Sequence, residues 1–453
     1  MVRKLYPNVL SWSPDHEKKY LHADNYCLSS IFINSAGYNT AMVKILHFAD
    51  AHIDMSNYGQ HDPISGLPMR VMDFLKSLDT IVDTAITEKV DLVIFAGDTY
   101  KDRSPAPTFQ REWGRRMMRL SRACIPVLLV PGNHDISPSL GRAHALQEYE
   151  TLDPDYIHVV SRPELYKPEK LNGVQVQVIA IPWITRHNVK AMMQDQSDDD
   201  IDPNMQIEQA LADWLEESIA ELDDDLPTIL TAHASVFGAK FGYEQNIKIG
   251  KDLVLPPGFV KRPEFDYVAL GHIHRHQDLN EGRQPPVVYA GSIERVDFGE
   301  LNEDKGFIIA EVSKGHTSYI FHKLDIRQFI DRTIAIDENF MVTERIISAL
   351  PAPDELKDAI VRLTVHYPRE FETLIDEAQI RNYAKDAFEF YLVKVPSSMA
   401  RSRLPDGQET SSLSLLELLD LYWKQDHKKA EEREELAKLA EEIISQVHGG
   451  ESA

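Results

Sequence analysis

Short apolar runs alternate along this chain with longer stretches that carry apolar residues at helical spacing. The runs are rich in branched and aromatic residues and are bounded by Gly, Pro or charged residues, as buried β-strands are. They cover residues 43–48, 90–96, 127–130, 229–230 and 267–270. Residues 71–88, 110–122 and 206–220 have the spacing of amphipathic helices. This alternation predicts an α/β fold.

Each of these apolar runs stops at a polar motif. The motifs, in chain order, are Asp50-Ala51-His52, Gly97-Asp98, Gly132-Asn133-His134-Asp135, Ala232-His233-Ala234 and Gly271-His272-Ile273-His274. Any one of them is readily explained as a turn or as a packed histidine. Because ligands gather at the carboxyl ends of strands in open α/β sheets, the ordered set predicts one common site.

The motifs supply carboxylate, amide and imidazole groups and no thiolate. Such a set suits Mn²⁺, Fe²⁺ or Zn²⁺, and two ions can share it if one carboxylate bridges them. Asp98 lies in the middle of the set and is the expected bridge. A metal pair favours hydrolysis of a phosphoester by an activated water. His134 is then expected to act as the acid or hydrogen-bond donor at the phosphate, with Asp135 orienting its ring.

These motifs resemble those of the calcineurin-like metallophosphoesterases. Within that superfamily, residues 42–448 resemble the SbcD-type nuclease subunits, mainly through the segment 291–300 (GSIERVDFGE), which follows the Gly271–His274 motif. The resemblance implies two packed mixed β-sheets flanked by helices. It also implies one metal on Asp50, His52, Asp98 and His274, and a second on Asp98, Asn133, His233 and His272. Two Mn²⁺ ions are expected, with Mg²⁺, Fe²⁺ or Zn²⁺ as alternatives.

Three basic residues are candidates for contacts with the substrate: Lys101, Arg103 and Arg295. Lys101 stands where many members of the family have a histidine, so the balance between exonuclease and endonuclease activity is left open. A salt-bridged turn at the sheet edge is an equally good explanation of Glu294 and Arg295.

The composition fits an enzyme of the cytoplasm. The chain has two cysteines among 453 residues and no apolar run long enough for a membrane span. Its net charge of −24 is unusual for a protein that binds DNA. Arginines 111, 115, 116, 119 and 122 are either a basic patch near the site or a solvated helix face.

The sequence divides into five parts. Residues 1–41 form an N-terminal extension, disordered or not native, and residues 42–325 form the phosphoesterase domain. Residues 326–396 are expected to be a small α+β capping domain, with strands at 332–336 and 359–366 and helices at 354–357 and 375–388. A linker at 397–410 leads to a helical segment at 411–448 that begins with the capping-box residues Ser414 and Glu417.

The resemblance implies a Mn²⁺-dependent DNA nuclease subunit in repair or recombination. It acts at or near double-strand ends, as a homodimer, with an SbcC-type ABC ATPase whose coiled coil binds the C-terminal helices. Two alternatives remain. One is a small-molecule phosphodiesterase or phosphatase on the same core, and the other is a non-catalytic scaffold for DNA ends. The segment 291–300 and the C-terminal helices disfavour the first, and the complete ligand set disfavours the second.

Overall fold

The computed structural model describes residues 42–136, 143–184, 203–241, 253–397, 414–425 and 430–449. The expected N-terminal extension, the acidic stretch 195–202 and nearly all of the linker 397–410 lie outside these residues. Among the described residues, every helix is too short or too polar to span a lipid bilayer.

The phosphoesterase part is built on two six-stranded sheets. The strands up to residue 323 are β1 (Val43–Phe48), β2 (Leu92–Phe95), β3 (Val127–Leu129), β4 (Ile157–Val159), β5 (Glu164–Tyr166), β6 (Gln177–Ile181), β7 (Thr228–His233), β8 (Ser235–Val236), β9 (Val254–Leu255), β10 (Tyr267–Gly271), β11 (Gln277–Asp278), β12 (Val287–Tyr289), β13 (Gly306–Ser313) and β14 (His316–Lys323). The first sheet has the order β14-β13-β1-β2-β3-β4 and the second has the order β11-β12-β10-β7-β6-β5. In the first sheet β1 to β4 are parallel, and antiparallel pairs of β13 and β14 form one edge. In the second sheet β12, β10, β7 and β6 are parallel, and β11 and β5 are antiparallel at the two edges.

The two sheets pack face to face. Apolar side chains of both sheets form one buried cluster, in which Ile45 and Ile94 of the first meet Val178 and Ala269 of the second. Strands that alternate with helices and bury both faces become continuous apolar runs, which is why the sequence pattern located them. The predicted fold class, two mixed sheets flanked by helices, is confirmed.

Helices cover the outer faces of this sandwich. They are α1 (Met69–Thr87), α2 (Pro107–Arg122), α3 (Glu148–Leu152), α4 (Pro203–Ala220) and α5 (Pro257–Val260). Phe74 of α1 and Trp113 of α2 are buried against the first sheet, and Leu211 and Leu215 of α4 against the second. Short 3₁₀ turns lie at Ala145–Gln147, Pro168–Lys170 and Phe298–Glu300.

Four arginines of α2 pair with carboxylates. Arg116 lies 2.6 Å from Asp79 of α1 and 3.2 Å from Glu112, and Arg119 lies 2.9 Å from Asp79. Arg111 and Arg115 each lie 2.9 Å from Glu112. The pairs of Arg116 and Arg119 with Asp79 join α1 to α2, and those of Arg111 and Arg115 lie within α2. These four arginines therefore belong to an ion-paired helix face and not to a free basic patch.

A third sheet follows the sandwich. Its strands β15 (Phe329–Ala335), β16 (Ile360–Pro368) and β17 (Glu389–Ser397) are parallel and in that order. It packs with α6 (Val342–Ser348), α7 (Pro353–Leu356), α8 (Glu377–Tyr383) and the 3₁₀ turn Arg369–Leu374. The helix expected at 375–388 is shorter, because the chain leaves it for β17, a strand that the sequence reading did not foresee.

Two helices end the described chain, α9 (Leu415–Gln425) and α10 (Ala430–Gly449). The predicted capping box starts α9: the Ser414 N–H donates to Glu417 over 2.7 Å and the Glu417 N–H donates to the Ser414 hydroxyl over 3.3 Å. Arg433 of α10 lies 3.3 Å from Asp420 of α9. Both helices expose apolar side chains: Leu415, Tyr422, Leu439 and Ile443.

Candidate metal centre

The seven predicted ligands come together at the carboxyl ends of the strands. Asp50 and His52 follow β1, Asp98 follows β2, Asn133 follows β3, His233 ends β7, and His272 and His274 follow β10. His233 and Gly271 are register partners in adjacent strands, which brings His233 beside His272. All except the partly buried His272 are buried.

The backbone at this site is unusually strained. Asp50, His52, Asp98 and His272 have φ angles of 50°, 39°, 62° and 101°, in a region that residues with a side chain rarely adopt. Hydrogen bonds between neighbouring loops hold these conformations: the Asp50 N–H donates to Gly97 over 2.8 Å and the His52 N–H to Asp98 over 3.1 Å. Strain that the surrounding structure maintains in this way is common at functional sites.

One half of the site is formed by Asp50, His52 and His274, whose ligand atoms lie within 4.8 Å of one another. The Nε2 atoms of His52 and His274 are 3.1 Å apart. Their Nδ1 atoms face acceptors, the Tyr100 carbonyl at 3.3 Å and a Glu300 carboxylate oxygen at 2.7 Å. If both Nδ1 atoms carry the proton, two Nε2 lone pairs face each other, an arrangement that a cation would stabilise.

The other half is formed by Asp50, Asp98 and His233, again within 4.8 Å. His233 Nδ1 lies 2.7 Å from the Ala96 carbonyl, so Nε2 faces the oxygens of Asn133 at 3.1 Å and Asp98 at 3.4 Å. The Asn133 amide oxygen also lies 2.9 Å from His272 Nδ1. Oxygen and imidazole nitrogen atoms converge here, and such a set of ligand atoms fits a divalent ion of the Mn²⁺, Fe²⁺ or Zn²⁺ type.

The two halves share their carboxylates. One Asp98 oxygen, Oδ2, lies 3.8 Å from His52 and 3.4 Å from His233, a position compatible with the predicted bridge. Asp50 belongs to both groups of ligand atoms, although the family resemblance implied that it binds one metal only. A bridging carboxylate is what two ions at close range require when ligands are few.

The electrostatics of the site favour a cation. Burial alone would raise the pKa of Asp98, but His233, His134 and His52 hold that pKa well below its usual range. Burial alone would lower the pKa of His233, but Asp98 and Asp50 raise that pKa to about 9. The surplus of negative charge that favours a proton on His233 favours a divalent cation in the same way.

Asp135 has a role different from the one expected. Its carboxylate accepts hydrogen bonds from the Gly132 N–H over 2.9 Å and from the Asp98 and Thr99 N–H groups over 3.0 Å each. It therefore ties the loop after β3 to the loop after β2. The orientation of the His134 ring comes from the Lys101 carbonyl, which lies 2.9 Å from His134 Nδ1.

The three candidate substrate-binding residues lie in different settings. Lys101 and Arg103 are exposed on the loop after β2, and Arg103 Nε donates to the Asn133 carbonyl over 3.3 Å. Arg295 is partly buried and donates to the carbonyls of Glu300, Glu303 and Arg327 over 3.2, 3.1 and 3.3 Å. These bonds to backbone carbonyls stabilise a turn. They support the structural explanation of Arg295 that the sequence analysis gave as the alternative to substrate binding.

Three residues that contact the site or the loop beside it were not predicted from the sequence. Glu300 bonds His274 and pairs with Lys305 at 2.9 Å. Asp54 accepts from the Lys101 N–H over 2.5 Å and fixes the loop that orients His134. The Trp183 ring lies 5.1 Å from that of His272, between centroids. Glu300 was visible in the segment 291–300, but only the fold brings it back to His274.

The sequence of residues 43–276 matches the calcineurin-like phosphoesterase family over just over half of the 453 residues. The chain therefore belongs to the calcineurin-like phosphoesterases, and family and geometry together point to a metal-dependent phosphoesterase with a two-metal site.

Solved structures with a similar arrangement include a dimetal phosphatase from Danio rerio (13% identity, 62% of this chain and 99% of that chain, TM-score 0.34). The protein TT1561 of Thermus thermophilus is similar at 14% identity, with the same coverages and TM-score. Phosphopantetheinyl hydrolase from Mycobacterium tuberculosis is similar at 12% identity over 55% of this chain and 88% of that chain, with a TM-score of 0.28. At these scores the similarities carry no argument about substrate.

Proposed function

We propose that this protein is the nuclease subunit of an SbcD-type complex. It hydrolyses phosphodiester bonds at or near double-strand DNA ends with two metal ions, Mn²⁺ being the expected pair, and works with an SbcC-type ATPase in DNA repair or recombination. The observation that carries the catalytic half of the proposal is the convergence of Asp50, His52, Asp98, His233 and His274 in two adjoining ligand groups.

The ligand groups support hydrolysis by water without a side-chain nucleophile. Two ions bound there would activate water and neutralise charge on the phosphate oxygens. His134 stands beside them, since its N–H donates to Asp98 over 2.8 Å and its ring contacts that of His52 at 5.3 Å between centroids. With Nδ1 bonded to the Lys101 carbonyl, Nε2 is the atom expected to donate to the phosphate or the leaving oxygen.

The segment 291–300 supports a macromolecular substrate. It lies between β12 of the second sheet and β13 of the first and carries Glu300, the partner of His274. Phe298 of this segment packs against Tyr58 and Phe329 at centroid distances of 6.4 and 5.1 Å, and the guanidinium of Arg362 lies 4.3 Å above its ring. These contacts hold the third sheet against the segment that carries Glu300. We infer that this sheet restricts access to the metal centre as a capping domain would, in a way suited to a long polymer and unnecessary for a small ester.

The exposed apolar side chains of the last two helices support a protein partner. Leu415, Leu439 and Ile443 are more than half exposed, at 60%, 54% and 53%. Burial of this surface on the coiled coil of an ATPase would stabilise the complex. The partner would also supply positive charge for DNA, which the net charge of −24 makes scarce on this chain. A homodimer of the phosphoesterase part belongs to the same proposal.

The test is an assay of the purified chain with Mn²⁺, a linear duplex, a hairpin DNA and bis-p-nitrophenyl phosphate. Wild-type protein is expected to cleave DNA, and His134→Ala to reduce cleavage by about 10²–10⁴-fold, as loss of a general acid does. His316→Ala is the matched control, because His316 is exposed on β14 far along the chain from the ligands. It should cleave like wild type.

The outcomes separate the alternatives. Cleavage of the small ester with intact DNA, even after addition of the ATPase partner and ATP, would refute the nuclease proposal and favour a small-molecule phosphodiesterase. Absence of cleavage of both substrates, in a protein that binds Mn²⁺, would favour the non-catalytic scaffold. DNA cleavage that appears only with the partner would support the full complex.

A further inference from the structure

A cavity of about 450 Å³ opens beside the metal centre and has no role in the site described above. Its walls are the loop after β2 with the start of α2 (Arg103, Gln110) and the segment around α3 (His144, Gln147, Glu148, Thr151). Arg103 belongs to both places, because its Nε donates to the carbonyl of the predicted ligand Asn133. The cavity therefore adjoins the loop that carries Asn133.

Hydrogen bonds within the protein order the walls of the cavity before any ligand binds. On one side, the Lys101 and Asp102 N–H groups donate to Asp54 over 2.5 and 2.9 Å, and the Gln110 amide donates to the Pro105 carbonyl over 3.2 Å. On the other side, the His144 N–H donates to the Gln147 side chain over 3.2 Å. A cavity whose walls are already ordered loses little conformational entropy when a ligand binds.

The chemistry of the lining points to one class of ligand. Among the described residues it offers one exposed guanidinium, that of Arg103, and the amides of Gln110 and Gln147, each of which retains donor and acceptor capacity beyond the bond described. Guanidinium groups recognise phosphate, and amides recognise the edges of bases. The carboxylate of Glu148 adds an acceptor for an exocyclic amino group. The volume is within the range of pockets that enclose small molecules.

We propose that this cavity binds one nucleotide of the DNA strand adjacent to the cleaved bond, with its phosphate on Arg103 and its base between Gln110 and Gln147. The inference rests on the proposed nuclease function and deepens it. Phosphate recognition at Arg103 and base recognition deeper in the cavity would set the position of the strand relative to the metals.

The binding test uses metal-free protein in EDTA and the four deoxynucleoside 5′-monophosphates, measured by calorimetry. Binding is expected, with inorganic phosphate weaker by about tenfold or more, because it lacks the base contacts. Arg103→Gln should weaken mononucleotide binding by about tenfold or more, since it removes a charged hydrogen bond. Thr151→Trp should abolish mononucleotide binding by filling the cavity.

Arg122→Gln and Thr80→Trp are the matched controls, on exposed positions of α2 and α1. Both should bind mononucleotides like wild type.

The same four variants are assayed for DNA cleavage with Mn²⁺. The cavity variants are expected to raise KM with little change in kcat, because the subsite binds substrate away from the reacting atoms. Three results would overturn the subsite even if the protein is a nuclease: cleavage with wild-type KM in both cavity variants, no mononucleotide binding by the wild-type protein, or mononucleotide binding that is unchanged in both cavity variants. Mononucleotide binding without DNA cleavage, even after addition of the ATPase partner and ATP, would retain a nucleotide site in the cavity and overturn the nuclease.

Discussion

The Nδ1 atom of His274 lies 2.7 Å from a carboxylate oxygen of Glu300, and both side chains are buried. Burial alone would raise the pKa of Glu300, but His274 and Lys305 lower it, so the carboxylate is ionised at neutral pH. The ionised carboxylate keeps the His274 proton on Nδ1 and directs the Nε2 lone pair to the site. A carboxylate behind a histidine is a common means of orienting a metal ligand.

Glu300→Gln is expected to weaken Mn²⁺ binding by about 10- to 100-fold, as removal of a partner that orients a ligand does. The amide can bond the histidine but does not hold its tautomer by charge. The measurement is a calorimetric titration of Mn²⁺ into EDTA-treated protein. Glu303→Gln is the control, because Glu303 also pairs with Lys305 at 2.9 Å. Equal losses in both variants would show that Lys305, not the contact with His274, is responsible.

His47 is expected to make folding less stable in acid. It is wholly buried in β1, and this burial lowers its pKa from 6.5 to about 3. The unfolded chain binds the proton below pH 6.5 while the folded chain does not, so stability is full above pH 6.5 and falls as the pH decreases towards 3. At about pH 5 the loss from this group is about 2 kcal/mol.

The measurement is the free energy of unfolding in urea at about pH 7.5 and about pH 5, for wild type and His47→Phe. His47→Phe should lose less stability between these pH values, whatever its stability at neutral pH. His316→Phe, an exposed control on β14, should follow wild type. The idea fails if wild type and His47→Phe have the same dependence on pH.

The sandwich and its ligands could be predicted because local pattern determines both. A strand buried on both faces is a continuous apolar run, and the polar residue that ends it lies at the edge of the sheet where ligands gather. Asp50, Asp98 and His233 are of this kind. Their grouping in space follows from strand order, and five motifs in one order along the chain were sufficient to infer it.

The supporting contacts could not be predicted, because they depend on side-chain positions that no local pattern encodes. Asp135 follows His134 in sequence and was expected to orient it, but its carboxylate binds the backbone of the loop after β2. The half-exposed strand β17 was missed for a related reason. Its residues 389–397 mix charged and apolar side chains without the uniform apolar character of the buried strands.

Arg70 is expected to be essential for stability. Its side chain is wholly buried, 3.0 Å from Asp73 and 3.5 Å from Glu294, and it also donates to the Arg295 carbonyl. Arg70→Met leaves the buried Glu294 without its partner, and should cost roughly 3–5 kcal/mol of unfolding free energy. Urea unfolding measures this, and adding Glu294→Gln should recover part of the loss.

Lys76→Met on the same helix is the control for Arg70. Its ion pair with Asp325 is 2.9 Å long, but both side chains are mainly exposed. Lys76→Met should change the free energy of unfolding by about 1 kcal/mol or less.

The double variant Arg70→Met with Glu294→Gln separates two causes of the loss. If it is no more stable than Arg70→Met alone, the cost comes from lost packing against Phe74 and Phe329, over whose rings the Arg70 guanidinium lies.

Gly132→Ala is expected to disrupt the metal centre because there is no space for a side chain. A Cβ atom at residue 132 would overlap the carboxylate and the backbone nitrogen of Asp98. Asp98 or the loop must then shift, so Mn²⁺ affinity in a calorimetric titration should fall by about tenfold or more. Gly258→Ala is the control, because a Cβ there meets nothing within 4 Å. Wild-type affinity in Gly132→Ala would mean that this loop does not fix the position of Asp98 as a ligand. Asp98 could then no longer be assigned as the shared carboxylate. Asp50, which belongs to both ligand groups, would take that assignment.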